Sequence, residues 1–521
     1  MVANRSLVGI GTAIALATVL GEGAPGTEAV RLDPGTLAPA ATVDARFQSY
    51  NVEMAEVIGA RFWKPYAHMS TTSPPPAEIQ VGRDPNLFEA RPPADLSNRR
   101  LRALAAALGP AYVRVSGTWA NSVYFQNDDA PALATPPDGY SGVLTRAEWR
   151  GVIDFAKAVD ARLVTSFTVS SGVRDASGTW TPAEARPLLD YTHSIGGEIF
   201  AAELFNEPNL AGFGEGPKGY DAAAFARDSA GFREFVMQAA PGLKIVGPGD
   251  VLTANAPMPG APTAEDFLTA KPPPRFDVFS YHFYPGVSQR CAPPDNPMVG
   301  TSRDQALTDA WFEGTDRAFK AHQAVRDHHA PGAPIWVTET AQAACGGSPW
   351  AATFLDTFRY LDQLGRLARQ GVSAVFHNTL AASEYGLIDP TTLDPRPNYW
   401  AALLWRRLMG PVVLDVGQTR PGLHVYAQCL RDGSGGVSVL AINPGEAAAA
   451  LEVRAPAEVY TLSATPLESG TVLLNGRPLA VGPDDRVPEL QPQRLKGMRL
   501  TLAPKSIDFI ALRRARNPNC R

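Results

Sequence analysis

Between about residues 45 and 405, short apolar β-rich runs alternate with stretches of helical period. The strand-like runs are Phe47–Val52, Tyr112–Ser116, Leu163–Thr168, Ile199–Phe205, Leu243–Gly247, Val278–His282, Ile335–Glu339 and Ala374–His377. Helix-like segments between and after them include Leu96–Leu108, Arg146–Val159, Ala222–Ala239, Ala306–Asp327, Ala351–Arg369 and Tyr399–Met409. Repeated strand–helix alternation predicts a parallel sheet with right-handed crossovers. Eight such strands predict an α/β fold, a closed (β/α)8 TIM barrel with long loops. An open doubly wound sheet is the alternative, but no glycine-rich turn follows the first strand.

After Gly410 the texture changes. Leu423–Cys429, Gly436–Ile442, Ala448–Val453, Val459–Leu462, Thr471–Leu474, Met498–Leu502 and Ser506–Leu512 read as strands, separated by turn-rich pieces such as Asp432–Gly436. This is the pattern of an antiparallel β-sandwich. Residues 29–43 are extended and punctuated by Pro and Gly, and are expected to add a strand to that sandwich. Leu7–Leu20 is apolar and is then broken by Gly21–Gly26, which matches a signal-peptide core and is short for a membrane span. The expected organisation is 1–27 signal peptide or N-terminal anchor, 28–44 strand joining the sandwich, 45–409 catalytic barrel and 410–521 β-sandwich. It implies a secreted, periplasmic or cell-surface protein.

Composition narrows the partners. Of 521 residues, 45% are hydrophobic and 19% charged, an ordinary globular balance. The net charge of −5 argues against a strongly cationic nucleic-acid surface, so no nucleic-acid partner is expected. Past residue 20 no apolar run is long enough to span a bilayer, so no membrane span is expected in the mature chain. His328 and His329 are adjacent and cannot share one helix face, and no His/Asp cluster has ligand spacing. No metal and no cofactor are therefore expected. The basic runs Arg99-Arg100 with Arg102, Arg406-Arg407, and Arg513-Arg514 with Arg516 read as solvated faces. The four cysteines, Cys291, Cys345, Cys429 and Cys520, allow three pairings; export would favour 291–345 and 429–520.

Catalytic residues of barrels of this kind sit at the C-terminal ends of the strands. The fourth strand ends Glu203-Leu-Phe-Asn206-Glu207-Pro208-Asn209 and the seventh ends Trp336-Val-Thr-Glu339-Thr340. Barrel closure would bring these two ends to face each other across the mouth. Paired carboxylates are what glycosidic cleavage needs: one protonated, to donate to the leaving oxygen, and one ionised, to attack the anomeric carbon or activate water. Asn206 supplies an amide beside the presumed acid, suited to a sugar 2-hydroxyl. A neutral-sugar glycosidase, such as one for arabinofuranosides or xylosides, and a non-catalytic glycan-binding surface protein are the competing readings.

Several stretches carry a more specific likeness. They are Asn206-Glu207-Pro208 with Glu339, Gly109-Pro-Ala-Tyr-Val-Arg-Val-Ser-Gly-Thr118, Tyr281-His282-Phe-Tyr284, Trp336–Thr340, Phe358–Gly371, Tyr385-Gly-Leu-Ile-Asp389, Asn398-Tyr-Trp400 and Leu423–Cys429. In these the chain resembles the heparanase and β-glucuronidase family, glycoside hydrolase family 79, within the clan of retaining barrel glycosidases. The resemblance implies a retaining hydrolase of β-linked glucuronic acid, either a β-glucuronidase or a heparanase-like endo-β-glucuronidase. Its substrate would be a glucuronide or a uronic-acid-containing oligosaccharide. It implies Glu207 as acid/base and Glu339 as nucleophile, with His282 and Tyr284 in support and Tyr284 hydrogen-bonded to the nucleophile. The family reads a glucuronate carboxylate with backbone N–H groups of a glycine pair and with a tyrosine, which implies Gly346, Gly347 and Tyr385. Thr118, Asn121 and Asn51 are the expected rim ligands. A Cys429–Cys520 bridge resembles one in heparanases, and a Cys291–Cys345 bridge would pin the loop beside the glycine pair. The chain departs from the vertebrate-type pattern by one extra residue before that pair and by His377-Asn378 on the eighth strand.

Overall fold

The computed structural model describes residues 29–69, 84–213, 216–253, 260–292, 301–417, 421–495 and 497–521. The expected signal segment, 1–27, lies outside them.

Eight parallel strands, each hydrogen-bonded to the next in chain order and the last to the first, close into a barrel. They are β1 (Gln48–Glu53), β2 (Ala111–Ser116), β3 (Ala161–Ser166), β4 (Ala201–Glu203), β5 (Lys244–Thr253), β6 (Val278–Tyr284), β7 (Ile335–Thr340) and β8 (Ala374–His377). Outside them run α1 (Arg99–Ala107), α2 (Arg146–Ala158), α3 (Ala185–Ser194), α4 (Ala222–Ala239), α5 (Ala264–Thr269), α6 (Asp309–His329), α7 (Phe354–Arg369) and α8 (Pro397–Leu408). The helices start where the sequence supplies caps. Asn98 accepts from the N–H groups of Arg100 and Leu101 at α1, and Thr145 with Glu148 closes a capping box at α2.

Period-two alternation sorts the strand residues. On β2, Val113 and Val115 join the core beneath the helices, while Tyr112 joins Val164, Ala201, Val246, Val278, Trp336, Ala374 and Phe376 in a separate cluster contributed by seven strands, the layered filling of a barrel interior. Arg114 and Ser116 follow Tyr112 on the same face, so above this apolar layer the interior turns polar.

Two helices and part of one strand depart from the sequence pattern. α3 carries Pro187, which reads as a breaker but sits in the first helical turn, where a missing N–H costs nothing. α5 is only six residues long. β5 continues past Gly247-Pro248-Gly249, which reads as a turn but is a bulge between Pro248 and Asp250 inside the strand.

The C-terminal strands form a nine-stranded sheet and a three-stranded sheet. Along Val437–Asn443 and Ser506–Leu512, Val439, Ala441, Ile510 and Leu512 face a core between the sheets. Leu440, Ile442, Ile507 and Phe509 face the other way and merge with the barrel core beneath α7 and α8. The segment expected to give one extra strand gives two. Val30–Leu32 pairs parallel with Ala449–Val453, and Pro39–Thr42 pairs antiparallel with Met409–Leu414. The latter strand follows α8 without a loop and runs through Gly410-Pro411, so the change of texture placed after Gly410 falls inside a strand. Cys291–Cys345 and Cys429–Cys520 are both bridged. The basic runs are tied into structure: Arg100 pairs with Asp394 and Asp485, Arg406 donates to the Gly109 carbonyl, and Arg513 pairs with Asp432 and Glu458. Among the described residues no helix is long and apolar enough to cross a membrane.

Candidate active site

Glu207 and Glu339 meet at the C-terminal mouth of the barrel. A carboxylate oxygen of each lies within 4.8 Å of the other and of a His282 ring nitrogen. Both side chains are nearly enclosed, 13% and 8% exposed.

Glu339 reaches the interior through a register break. Strict alternation from Trp336 would turn it outward. The β6–β7 ladder instead runs Tyr281 to Val337 and then His282 to Glu339, skipping Thr338. This bulge puts Glu339 on the side of His282. The displaced Thr338 carbonyl is taken by Asn51, whose Nδ2 donates to it at 3.1 Å. Asn51 is buried and lies behind Glu339 rather than on the rim.

Glu207 sits just beyond β4 with φ +53, a left-handed backbone that a non-glycine residue adopts at a cost of about 1–3 kcal/mol. Its neighbours are clamped. Asn121 accepts from the Asn206 N–H at 3.0 Å and donates to the Asn206 carbonyl at 3.1 Å. Asn209 makes the same two-way contact with Val251 on β5, 3.0 Å each way. Asn121 is fully buried, so it too stands behind the site. Thr118 is half-buried in the turn after β2 and makes no side-chain hydrogen bond among the described residues.

The two carboxyls have different surroundings. Glu339 accepts from three donors, Tyr284 Oη at 2.5 Å, Arg114 Nη1 at 3.0 Å and Asn378 Nδ2 at 3.4 Å. Glu207 is pushed up to about 7, by burial first; Arg114 opposes this, and Glu203 and Asp250 add to it. His282 is pushed down to about 4, chiefly by burial. Arg114 can only donate, so its 3.4 Å contact with His282 Nε2 puts the imidazole hydrogen on Nδ1, which faces Glu207 Oε1 at 3.0 Å. A neutral histidine thus donates to the carboxyl oxygen that Glu207 does not need for its own proton. The trio has the spacing of a divalent-cation site. The Nδ1 hydrogen points at the carboxylates and Arg114 already neutralises Glu339, which suits proton transfer and not metal ligation.

Arg114, Glu203 and Glu53 carry roles that the motif reading did not assign. Arg114 is fully buried; besides Glu339 it holds Glu203, with Nε at 2.8 Å, and Asn206 Oδ1 at 2.7 Å. Ser116 adds a 2.8 Å bond to Glu203. Burial acts to lower the guanidinium, but Glu203 and Glu339 outweigh it and hold the charge on. The signal lay in the alternation: an Arg on the inward face of a buried strand requires an acid partner. Glu53 ends β1, and its carboxyl is pushed well up by burial and then by the charge of Glu339. Gly117, at φ +96, makes room for it, since a Cβ there would lie 1.6 Å from Glu53 Oε2.

The loop after β7 brings Gly346 and Gly347 beside the site, at φ +79 and +83. Neither N–H has an acceptor among the described residues. Tyr385 is buried next to Tyr284, and its hydroxyl accepts from Asn378 Nδ2 at 3.3 Å. A cleft of about 420 Å³, lined by Trp63, Tyr66, Arg290 and Glu384 among others, opens beside Gly346.

Comparison with known proteins agrees with this geometry. Residues 93–365 match the model of the glycosyl hydrolase family 79 N-terminal domain. Heparanase-like protein 1 of Arabidopsis thaliana is 29% identical over 373 residues, which is 67% of this chain and 64% of that protein's length. Hyaluronoglucuronidase of Hirudo nipponia is 27% identical over 478 residues, 82% of this chain and 92% of that one. The α-L-arabinofuranosidase of Thermotoga petrophila RKU-1 shares the fold, with a TM-score of 0.61 at 14% identity over 93% of this chain and 99% of that one. With more than half of its length matched by the family model, the chain belongs to glycosyl hydrolase family 79 and is a glycoside hydrolase.

Proposed function

We propose that this enzyme hydrolyses β-linked glucuronides with retention, by double displacement. One observation carries the reading: two carboxyls with oxygens within 4.8 Å of each other, one buried and shifted up to about 7, the other held by three donors. Carboxyls about 5–5.5 Å apart leave no room for a water between acid and sugar, so the second must attack the sugar itself. Glu207 protonates the glycosidic oxygen as Glu339 bonds to the anomeric carbon and the aglycone leaves. Glu207, now ionised, takes a proton from the water that releases the sugar from Glu339. Arg114 and Tyr284 hold the Glu339 carboxylate by hydrogen bonds, and His282 holds Glu207 in place. Asn206 is set to meet the 2-hydroxyl. Asn51 and Asn121 act from behind, on the backbone that carries the two glutamates.

The glucuronate carboxylate is assigned to Gly346, Gly347 and Tyr385. The two unpaired N–H groups support this, since consecutive backbone donors free of side chains form an anion-binding concavity. The name of the Hirudo relative supports the substrate class. We also read 45–409 as the catalytic unit and 410–521 with 28–44 as its companion sandwich. The two disulfides support export. The test is a panel of 4-nitrophenyl glycosides on the purified protein. The glucuronide should be turned over at least about tenfold faster than the glucoside, xyloside and arabinofuranoside, as expected when a neutral analogue leaves buried donors unpaired. Preference for a neutral sugar would overturn the assignment of the glycine pair while leaving the glutamate pair standing.

A further inference from the structure

A glycine pair is a poor anion reader unless something outside it holds it still, because glycine has the most backbone freedom to lose. Both carbonyls of the pair are held. The Gly346 carbonyl accepts from the Glu384 N–H at 3.0 Å. In a trans peptide the N–H lies opposite the C=O, so this contact aims the Gly347 N–H the other way. The Gly347 carbonyl accepts from Ser288 Oγ at 2.7 Å.

Ser288 belongs to the loop after β6 and is fully buried. Its hydroxyl has one hydrogen, and a carbonyl can only accept, so that hydrogen points at Gly347. Tyr66 Oη lies 2.6 Å from Ser288 Oγ and must therefore donate to it. Tyr66 Oη in turn accepts from the Arg290 N–H at 3.2 Å. Every proton in this chain runs one way: Arg290 N–H to Tyr66, Tyr66 O–H to Ser288, Ser288 O–H to Gly347. Bonds aligned head to tail polarise one another, which strengthens the last of them.

The frame around the relay is fixed independently. The Ser288 N–H donates to the Ala344 carbonyl at 3.0 Å, and the Ala344 N–H donates back to Gly286 at 3.0 Å. Cys291 is bridged to Cys345, so the residues next to Arg290 and next to Gly346 are covalently joined. The Arg290 guanidinium lies 4.0 Å from the centre of the Tyr66 ring and donates to the Lys64 carbonyl. The loops after β1, β6 and β7 thus meet at one serine hydroxyl.

We propose that Ser288 and Tyr66 are positioning residues for substrate specificity: their hydroxyl relay locks the glycine pair in the conformation that receives the acidic group of the sugar. This rests on the assignment of the glucuronate carboxylate to that pair. The relay touches neither glutamate, so its loss should act on recognition more than on bond cleavage.

The test is Ser288→Ala and Tyr66→Phe, assayed on 4-nitrophenyl glucuronide and 4-nitrophenyl glucoside beside the parent enzyme, with thermal melting as the check on folding. One hydrogen bond is a factor of roughly two to tenfold. Each variant should lower the glucuronide-to-glucoside ratio of kcat/KM by about fivefold, through KM for the glucuronide and with a smaller change in its kcat. A general loss of fold would lower both substrates together and leave the ratio where it was. An unchanged ratio in both variants would overturn the relay. A parent enzyme with no preference for the glucuronide would instead overturn the assignment of the pair, and the relay with it.

Discussion

Arg114 and Glu339 meet inside the barrel mouth, Nη1 donating to Oε2 at 3.0 Å, while the same guanidinium holds Glu203 and Asn206 on the β4 side. One buried cation therefore spans the strand that leads to Glu207 and the strand that carries Glu339. Removing one partner of a buried ion pair costs about 3–5 kcal/mol, because the other charge is left without its counter-ion. Arg114→Met should lower the melting temperature. It should also lower kcat by about a hundredfold, the scale of a 1 Å misplacement of a reacting group. Adding Glu203→Gln should restore most of the stability, since that buried charge is gone, but not the rate. If the double variant regains the rate as well, Arg114 serves only to offset Glu203.

With Glu207 as the proposed acid, it should set the alkaline side of the pH profile. Its folded value, about 7, lies above the ordinary 4.5, so the protonated form is favoured in the fold. As an acid raised on folding, it contributes stability below about 4.5 that is lost as pH rises through about 7. Catalysis needs the proton for the leaving oxygen, so kcat/KM should fall as pH rises through about 7. Asp250 is one of the charges that raise it. In Asp250→Asn the alkaline limb should move to lower pH, read from the kcat/KM profile on 4-nitrophenyl glucuronide. A limb that stays put would assign it to another group.

Asn51 governs the aim of Glu339 without touching it. Its amide satisfies the carbonyl of the bulged Thr338 in a fully buried setting. Asn51→Ala leaves that carbonyl unpaired, at about 1–3 kcal/mol. The ladder is then free to slip toward the regular register, which would turn Glu339 outward. A fall in kcat of about tenfold or more with little change in KM is expected. A purely structural role would instead lower the melting temperature and leave kcat of the folded enzyme unaltered.

Much of this site was legible in the residues alone, and the parts that were not share a cause. Glu207 and Glu339 could be found because strand ends are marked by a change from apolar to polar residues, and strand number four or seven follows from counting. Their environment could not. The bulge at Thr338 has no local signature, since Trp336-Val-Thr-Glu339 fits an unbroken strand equally well. Asn51 and Asn121 read as rim ligands because polar residues at strand ends usually face solvent; here they are absorbed by backbone groups that the bulge and the left-handed Glu207 leave exposed. Arg114 was hidden inside a family-like stretch, although its place between Val113 and Val115 marks it as inward-facing. The same limit applied at Gly247-Pro248-Gly249 and Gly410-Pro411, where breaker residues sit inside strands because neighbouring strands supply the order that the local sequence lacks.

The contact between barrel and sandwich carries its own pH dependence. His424, on the sandwich strand His424–Leu430, faces Asp362 on α7 with Nδ1 2.5 Å from Oδ1, and Asp309 at the start of α6 with Nε2 at 3.3 Å. Tyr426 and Arg366 complete the cluster on Asp362 at 2.5 and 2.6 Å. Burial acts to lower the His424 value, but the charge and hydrogen bond of Asp362 outweigh it, and the net shift is upward. A histidine raised on folding gives stability that is complete below its ordinary 6.5 and is lost as pH rises through its folded value. Asp362 is lowered on folding, so its part is present above 3.8 and lost on acidification. His424→Gln should therefore destabilise the protein by about 1.5–3 kcal/mol at about pH 6, the range for hydrogen bonds to charged groups, and by clearly less at about pH 9. Thermal melts of parent and variant at the two pH values read this difference directly. An equal loss at both would mean that the imidazole is neutral where it meets the barrel, and that Asp362 is held by Arg366 and Tyr426 alone.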